Sequence, residues 1–204
     1  ELDEKPWNFT KSDLEYLIAL KPNNKFLGNR IQLWFYYFSE SRQNKRFWRW
    51  VHRNSGDAPV YVDKFQNQNT AQQLSRYVYN KGYFNNQVDF ELQQRKSRLA
   101  AVNFKVQLGT PYIANEITQV ISDSVLARFV DSIQPNTLLK TGAVYDAYLM
   151  DNERDRITNH LRDKGYFYFS KDFIFFNVDS SLSAHRYNLE MKIENPNSNS
   201  SSGL

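Results

Sequence analysis

The sequence predicts an α+β protein built from two tandem β-α-α-β-β domains, each a three-stranded mixed sheet covered by two helices. Three observations carry that expectation. Lys81-Gly82-Tyr83-Phe84 recurs 83 residues later as Lys164-Gly165-Tyr166-Phe167. The same spacing carries Asp63 onto Asp146, Phe65 onto Tyr148, Leu74 onto Ile157 and Val78 onto Leu161. A spacing of 85 then carries Val102, Phe104, Val106 and Leu108 onto Tyr187, Leu189, Met191 and Ile193. The two-residue slip falls in the strand or hairpin between, where insertions are tolerated. Each glycine follows a helical pattern and precedes a run of strand formers, so Gly82 and Gly165 read as structural turns. Glycine takes the positive φ of a helix C-terminus without a Cβ clash, the lysine softens the negative end of the helix dipole, and the aromatics open a strand.

At 204 residues the chain has room for one large domain or two of roughly 85–100 residues. Hydrophobic residues make up 41%, with 15 Phe, 13 Tyr and 4 Trp, enough to build cores without disulfides. The expected domains are 1–11 as an entry linker, 12–109 and 110–194 as the two repeats, and 195–204 as a polar tail or linker. No apolar run approaches the ~18–20 residues that span a bilayer. The chain starts at Glu1 with neither an initiator Met nor a signal pattern, and reads as a mature or excised segment. It contains no cysteine, which excludes disulfides, thiol catalysis and thiolate metal sites, and leaves the compartment open. A net charge of +4 and a pI near 9.1 permit an anionic partner without demanding one.

Residues 12–20 read as a short helix or a strand carrying Leu14, Leu17, Ile18 and Leu20, broken by Lys21-Pro22-Asn23-Asn24. Residues 31–38 are almost entirely apolar. Lys45 to Arg53 reads as an amphipathic helix showing Phe47, Trp50 and Val51 to the core, or else as a basic-aromatic surface for a membrane interface or single-stranded nucleic acid. A loop over 55–59 precedes Asp63, an N-cap for a helix through Leu74, Tyr77 and Val78. Val88, Phe90 and Leu92 alternate as a strand, 93–97 as a polar turn, and Val102 to Leu108 as a second strand. Gly109-Thr110-Pro111 marks the boundary.

In the second repeat, residues 112–121 alternate with Ile113, Ile117 and Ile121 on one side. Ser122 and Asp123 cap a helix carrying Leu126, Phe129, Val130 and Ile133. Asp146 caps the next, which buries Met150, Ile157 and Leu161. Asp151, Glu153, Arg154, Asp155 and Arg156 read as its solvated, salt-bridged faces. A long strand is expected over 166–178, a turn over 179–183, and a last strand through Tyr187, Leu189, Met191 and Ile193.

The β-α-α-β-β order with a glycine-aromatic turn before the penultimate strand resembles the POTRA (polypeptide-transport-associated) domain. The resemblance runs from about Ser12 to Glu194. It rests on Pro22-Asn23 with Leu27-Gly28, on Asn80-Lys81-Gly82-Tyr83-Phe84, and on Glu153-Arg154-Asp155-Arg156-Ile157 leading to Gly165-Tyr166. Together these look like the periplasmic part of a BamA/TamA-type outer-membrane assembly protein of Bacteroidetes-like bacteria. No series of alternating ~10-residue strands follows, so the chain reads as a fragment lacking a C-terminal barrel.

The resemblance implies a module on the periplasmic face of a Gram-negative outer membrane. Its partners would be unfolded outer-membrane clients or accessory proteins, and it would position a barrel. The strands after the Gly-Tyr turns would be partner-binding edges, carried by Tyr83, Phe84, Val88, Phe90, Tyr166, Phe167, Phe169, Phe173 and Phe175. Two other readings compete: a single-stranded nucleic-acid-binding α/β module, disfavoured by dispersed basic residues, and a purely structural spacer. Catalysis, cofactors and metals are not expected. His52, His160 and His185 are far apart, and no phosphate loop, Gly-x-Ser-x-Gly or His-Glu-x-x-His occurs.

Overall fold

The computed structural model describes residues 8–18, 36, 38–39, 45–54, 61–96 and 99–195. The expected features at 21–24, 27–28, 55–59 and 196–204, and most of the apolar run at 31–38, lie outside the described residues. The chain forms two compact units: Glu1–Thr10, Ser75–Val88 and Val106–Leu204 in one, Lys11–Leu74 and Asp89–Lys105 in the other.

The larger unit contains the complete repeat. Strand β3 (Ile113–Ile121) is followed by helix α4 (Ser124–Ile133), a 3-10 turn (Gln134–Asn136) and helix α5 (Ala147–Asp163). A second 3-10 turn (Lys171–Phe173), β4 (Ile174–Asp179) and β5 (Arg186–Ile193) complete it. The sheet order is β3-β5-β4, with β3 parallel and β4 antiparallel to β5. This is the expected three-stranded mixed sheet, with β5 central.

Alternation decides what each strand buries. Tyr187, Leu189, Met191 and Ile193 of β5 face inward, onto Leu126 and Val130 of α4 and Met150, Ile157 and Leu161 of α5. Each fully buried aliphatic or aromatic side chain contributes about 1.5–3 kcal/mol. The alternation expected of Ile113, Ile117 and Ile121 is corrected by a bulge: Ala114 pairs with Tyr187 and Glu116 with Asn188, leaving Asn115 as the extra residue. The core face of β3 therefore opens with buried Ala114 rather than Ile113.

Both long helices are seventeen residues, α3 (Lys64–Asn80) and α5. Asp63 Oδ1 accepts from the N–H of Phe65 at 2.8 Å and of Gln66 at 3.5 Å. Asp146 Oδ1 accepts from Tyr148 and Leu149 at 2.9 and 3.3 Å. At the far ends, Tyr83 N–H donates to Val78 O and Tyr166 N–H to Leu161 O, and Gly82 and Gly165 hold φ of +94° and +101°. Cap, helix and turn are repeated bond for bond.

The smaller unit holds α1 (Lys11–Tyr16), α2 (Arg46–Asn54), the first half of α3 and most of a two-stranded hairpin, β1 (Gln87–Lys96) with β2 (Leu99–Gln107). Residues 11–16 are helical, which decides between helix and strand there, and Leu14 is the buried side chain. Residues 93–96, expected as a turn, extend β1.

On α2, Phe47 and Trp50 are 63% and 57% exposed, not turned to the core as the spacing suggested. Helical spacing groups side chains on a face, but does not say which face is covered. Here Trp48 is the less exposed ring and meets Phe38 edge-on at 5.2 Å. Among the described residues no helix is long and apolar enough to cross a membrane.

Candidate partner-binding edge

The expected strand starts at Tyr83 and Tyr166 are corrected: β1 begins at Gln87 and β4 at Ile174. The reason is local hydrogen bonding. After Gly165, Phe169 N–H closes a turn onto Tyr166 O, and Ser170 Oγ caps the 3-10 turn by accepting from Asp172 N–H. Arg162 Nε donates to Phe169 O at 2.8 Å and pins the segment to α5. After Gly82, the equivalent bond runs from Asn86 N–H to Tyr83 O.

The candidate residues therefore separate. Tyr83 is buried, its ring edge-on to Phe9 at 5.8 Å, and burial pushes its hydroxyl pKa up. Phe84 is half-buried among Tyr79, Tyr112 and Tyr145, with centroids 4.7–5.0 Å away. Val88 and Phe90 are half-buried in β1, and Phe90 lies 6.2 Å from Phe104. Tyr166 rests edge-on to Phe129 at 6.1 Å. Phe169 is fully buried in the core and contacts Phe173, half-buried in the 3-10 turn. Phe167 and Phe175 face solvent.

Strand β4 is an edge, pairing only with β5 among the described residues. Its register tells which backbone groups are free. Glu194 N–H donates to Phe173 O, and Ile174 pairs with Ile193, so residues 173, 175, 177 and 179 direct their backbone groups toward β5. Residues 174, 176 and 178 direct theirs outward. The Ile174 N–H closes the 3-10 turn onto Lys171 O, which leaves, among the described residues, the Phe176 and Val178 amides as the free donors of the edge.

The outer face of the sheet follows in rows across the register. Glu116, Asn188 and Asp179 form one, Thr118, Glu190 and Asn177 a second, and Val120, Lys192 and Phe175 a third. The first two line a shallow groove. Asn177 Nδ2 donates to Glu190 Oε1 at 2.9 Å. Hydrogen bonds from Ser181 Oγ and N–H hold the Asp179 carboxyl below the usual range. The face is polar, with carboxylates at Glu116, Asp179 and Glu190 and a cation at Lys192, and is apolar at Val120 and Phe175.

Two constellations escaped sequence reasoning. Glu153, expected on a solvated face, is fully buried. It accepts from Thr137 Oγ1 at 2.8 Å, Leu138 N–H at 3.1 Å and Arg156 Nε and Nη2 at 2.8 and 2.6 Å, while Arg156 Nη1 donates to Ile133 O. Burial opposes its ionisation, but the hydrogen bonds from Arg156, Leu138 and Thr137 outweigh this and hold its pKa below the ordinary value. The carboxylate thus fastens the turn after α4 to α5. The 83-residue spacing pairs Glu153 with Thr70, which is also buried, and nothing in the sequence marks either as interior.

The second is Lys81, whose Nζ lies 2.8 Å from Asp146 Oδ2 with both side chains largely buried. The ammonium also sits over the rings of Tyr148 and Tyr77, at 5.0 and 5.7 Å. Asn8 Nδ2 donates to Lys81 O and Tyr145 O at 3.0 and 3.4 Å. No group of three or more metal-ligating side chains comes together among the described residues.

No protein-family model matches the chain, and no curated protein matches it. Among the solved structures similar to it are chains that carry POTRA domains. The crystal structure of Haemophilus influenzae BamA POTRA3-5 is 14% identical with a TM-score of 0.45, covering 92% of this chain and 61% of that one. BamA from Haemophilus ducreyi lacking POTRA domains 1–3 is 15% identical with a TM-score of 0.40, covering 76% of this chain and 26% of that one. POTRA1-3 of the periplasmic domain of Omp85 from Anabaena is 13% identical with a TM-score of 0.30, covering 71% of this chain and 55% of that one. The chain thus spans less than two thirds of the length of each.

Proposed function

We propose that the chain is a periplasmic protein-binding module of an outer-membrane assembly or translocation factor of a Gram-negative bacterium, with two tandem POTRA-like repeats over 12–109 and 110–194. It takes extended segments of unfolded outer-membrane clients or accessory proteins as an added strand, and positions a membrane barrel carried by the whole protein. The observation that supports this reading is the open edge of β4. Its outward N–H and C=O groups at Phe176 and Val178 are a template for backbone pairing, which is tolerant of client sequence. Phe175, beside Lys192 and Val120, offers an apolar contact to alternate side chains of an added strand. The charge-balanced carboxylates of α5 do structural work in this reading, and no catalytic role is assigned.

The test is a titration of the isotopically labelled chain with a synthetic peptide of alternating apolar and polar residues. Binding should protect the Phe176 and Val178 amides from exchange. Val178→Pro removes one outward donor without touching the ladder to β5, and should abolish binding while the fold persists. Undiminished binding by Val178→Pro, or protection elsewhere with none on β4, would overturn the proposal.

A further inference from the structure

The two faces of the β4 edge carry different side-chain chemistry. On the inner face, rows run from β3 through β5 to β4 and stop there. One row is Ile117, Leu189 and Val178, and the next is Gln119, Met191 and Phe176. Leu189 is 1% exposed, whereas Val178, the last member of its row, is 38% exposed. Alternation along β4 thus carries an apolar row out to the edge and leaves its end open.

On the outer face, Glu116, Asp179 and Glu190 stand around the shallow groove. Among the described residues none of these three carboxylates forms an ion pair, in a chain of net charge +4. The cations of this face lie at its two ends. Lys192, in the Phe175 row, is held by Glu194 at 2.7 Å. Arg186 lies beyond Asn188 and Asp179, the last pair of β5 with β4. Hydrogen bonds from Ser181 favour the ionised form of Asp179. Of the three carboxylates, only Asp179 belongs to β4, so a further strand lies beside it first.

We infer that β4 selects its added strand by charge and by face: the outward side chain beside Asp179 is a Lys or Arg, and the inward side chains beside Val178 and Phe176 are apolar. Neighbouring side chains on one face of a sheet have Cβ atoms about 4.5–5.5 Å apart. A long cation there reaches the Asp179 carboxylate and lays its stem toward Glu190 in the next strand. An anion in the same place meets like charge. In the third row, beside Phe175, the groove has ended and an apolar side chain fits. A slip of one residue would turn the cation inward onto Val178 and the apolar side chains onto the carboxylates, so the two faces together fix the register. The occupant is an extended segment in which cationic and apolar residues alternate. This inference rests on the strand addition proposed above and narrows which segments it takes.

The test uses three peptides of alternating Val and Thr, identical except for Lys, Gln or Glu at the central Thr position. Binding is read by calorimetry and by exchange protection of the Phe176 and Val178 amides. The Lys peptide should bind about fivefold more tightly than the Glu peptide, with Gln between them, and the gap should narrow as salt is raised. Moving the Lys by one place, onto the Val face, should remove its advantage. Asp179→Asn combined with Glu190→Gln keeps the acceptors used by Ser181 and Asn177 while removing both charges. It should bring the Lys and Glu peptides within about twofold of each other, with protection of the buried Leu189 amide unchanged. Equal binding of the Lys and Glu peptides, with Phe176 and Val178 still protected, would overturn the charge selection and leave strand addition standing. So would a Lys preference that survives in the double variant. Protection of neither amide by any peptide would overturn both.

Discussion

Glu153 shows how one carboxylate is made structural. Four donors surround it, from Thr137, Leu138 and Arg156, so removing it strips Arg156 of its carboxylate partner, leaving only the bond to Ile133 O, and leaves the Leu138 amide without its acceptor. Glu153→Ala should lower unfolding free energy by about 3 kcal/mol in a denaturant titration. The sign with pH follows from its lowered pKa. Its contribution is present above the unfolded-state value of about 4.3 and is lost as pH falls through the lower folded value. Glu153→Gln should therefore flatten the acid limb of the stability curve below about pH 4. Gly82 and Gly165 make a matched pair for a second measurement. Both need positive φ, so alanine at Gly165 should cost about 1–2 kcal/mol. Alanine at Gly82 also drives a Cβ against Tyr145 O and should cost about 3 kcal/mol or more.

Strand β4 separates two kinds of backbone position within six residues. At Asn177 the N–H faces β5, paired with Glu190; at Val178 it faces the open edge. Asn177→Pro should destabilise by about 2–3 kcal/mol by removing a ladder bond and orphaning its acceptor. Val178→Pro should cost about 1 kcal/mol or less in the same thermal melt, because an edge position tolerates a missing donor. Equal losses at the two positions would mean that the register assigned to β4 is wrong. The caps of α3 and α5 differ similarly. Asp63 caps at an exposed site, so Asp63→Ala should cost about 1 kcal/mol. Asp146→Ala should cost more, since it also strands buried Lys81.

The larger unit carries a cluster of buried phenols whose titration sets an alkaline limit on stability. Burial, with Tyr145 and Asp146 nearby, pushes Tyr187 up to about 12 from 10.0. Burial likewise raises Tyr145, helped by Tyr79 and Asp146, and raises Tyr83. A phenol whose folded pKa exceeds its unfolded one stabilises the fold fully below the unfolded value and progressively less above it. Denaturation midpoints should therefore hold to about pH 10 and fall between pH 10 and 12. Tyr187→Phe should reduce that slope. A midpoint that stays flat across this window would show that these phenols do not govern alkaline stability.

What the sequence determined by itself was the local grammar: two Asp-capped helices, two glycine stops, and the alternation that makes β5 a core strand. These features depend on φ preferences, capping and side-chain period, which are properties of neighbouring residues, and the 83-residue repeat made them legible twice. Strand starts were less legible, because the turn closed by Phe169 N–H onto Tyr166 O outcompetes the strand propensity of four consecutive aromatics. Burial was decided only by tertiary structure. Glu153 went inside because Thr137 and Leu138 met it there, Phe169 because the turn it closes onto Tyr166 O and its bond from Arg162 reset its facing, and Phe47 and Trp50 faced solvent despite ideal helical spacing. The two glycine turns make the same point most directly. Their sequences and backbones agree, yet Gly82 is covered by Tyr145 and Gly165 by nothing among the described residues, because what covers a turn comes from residues distant in the chain.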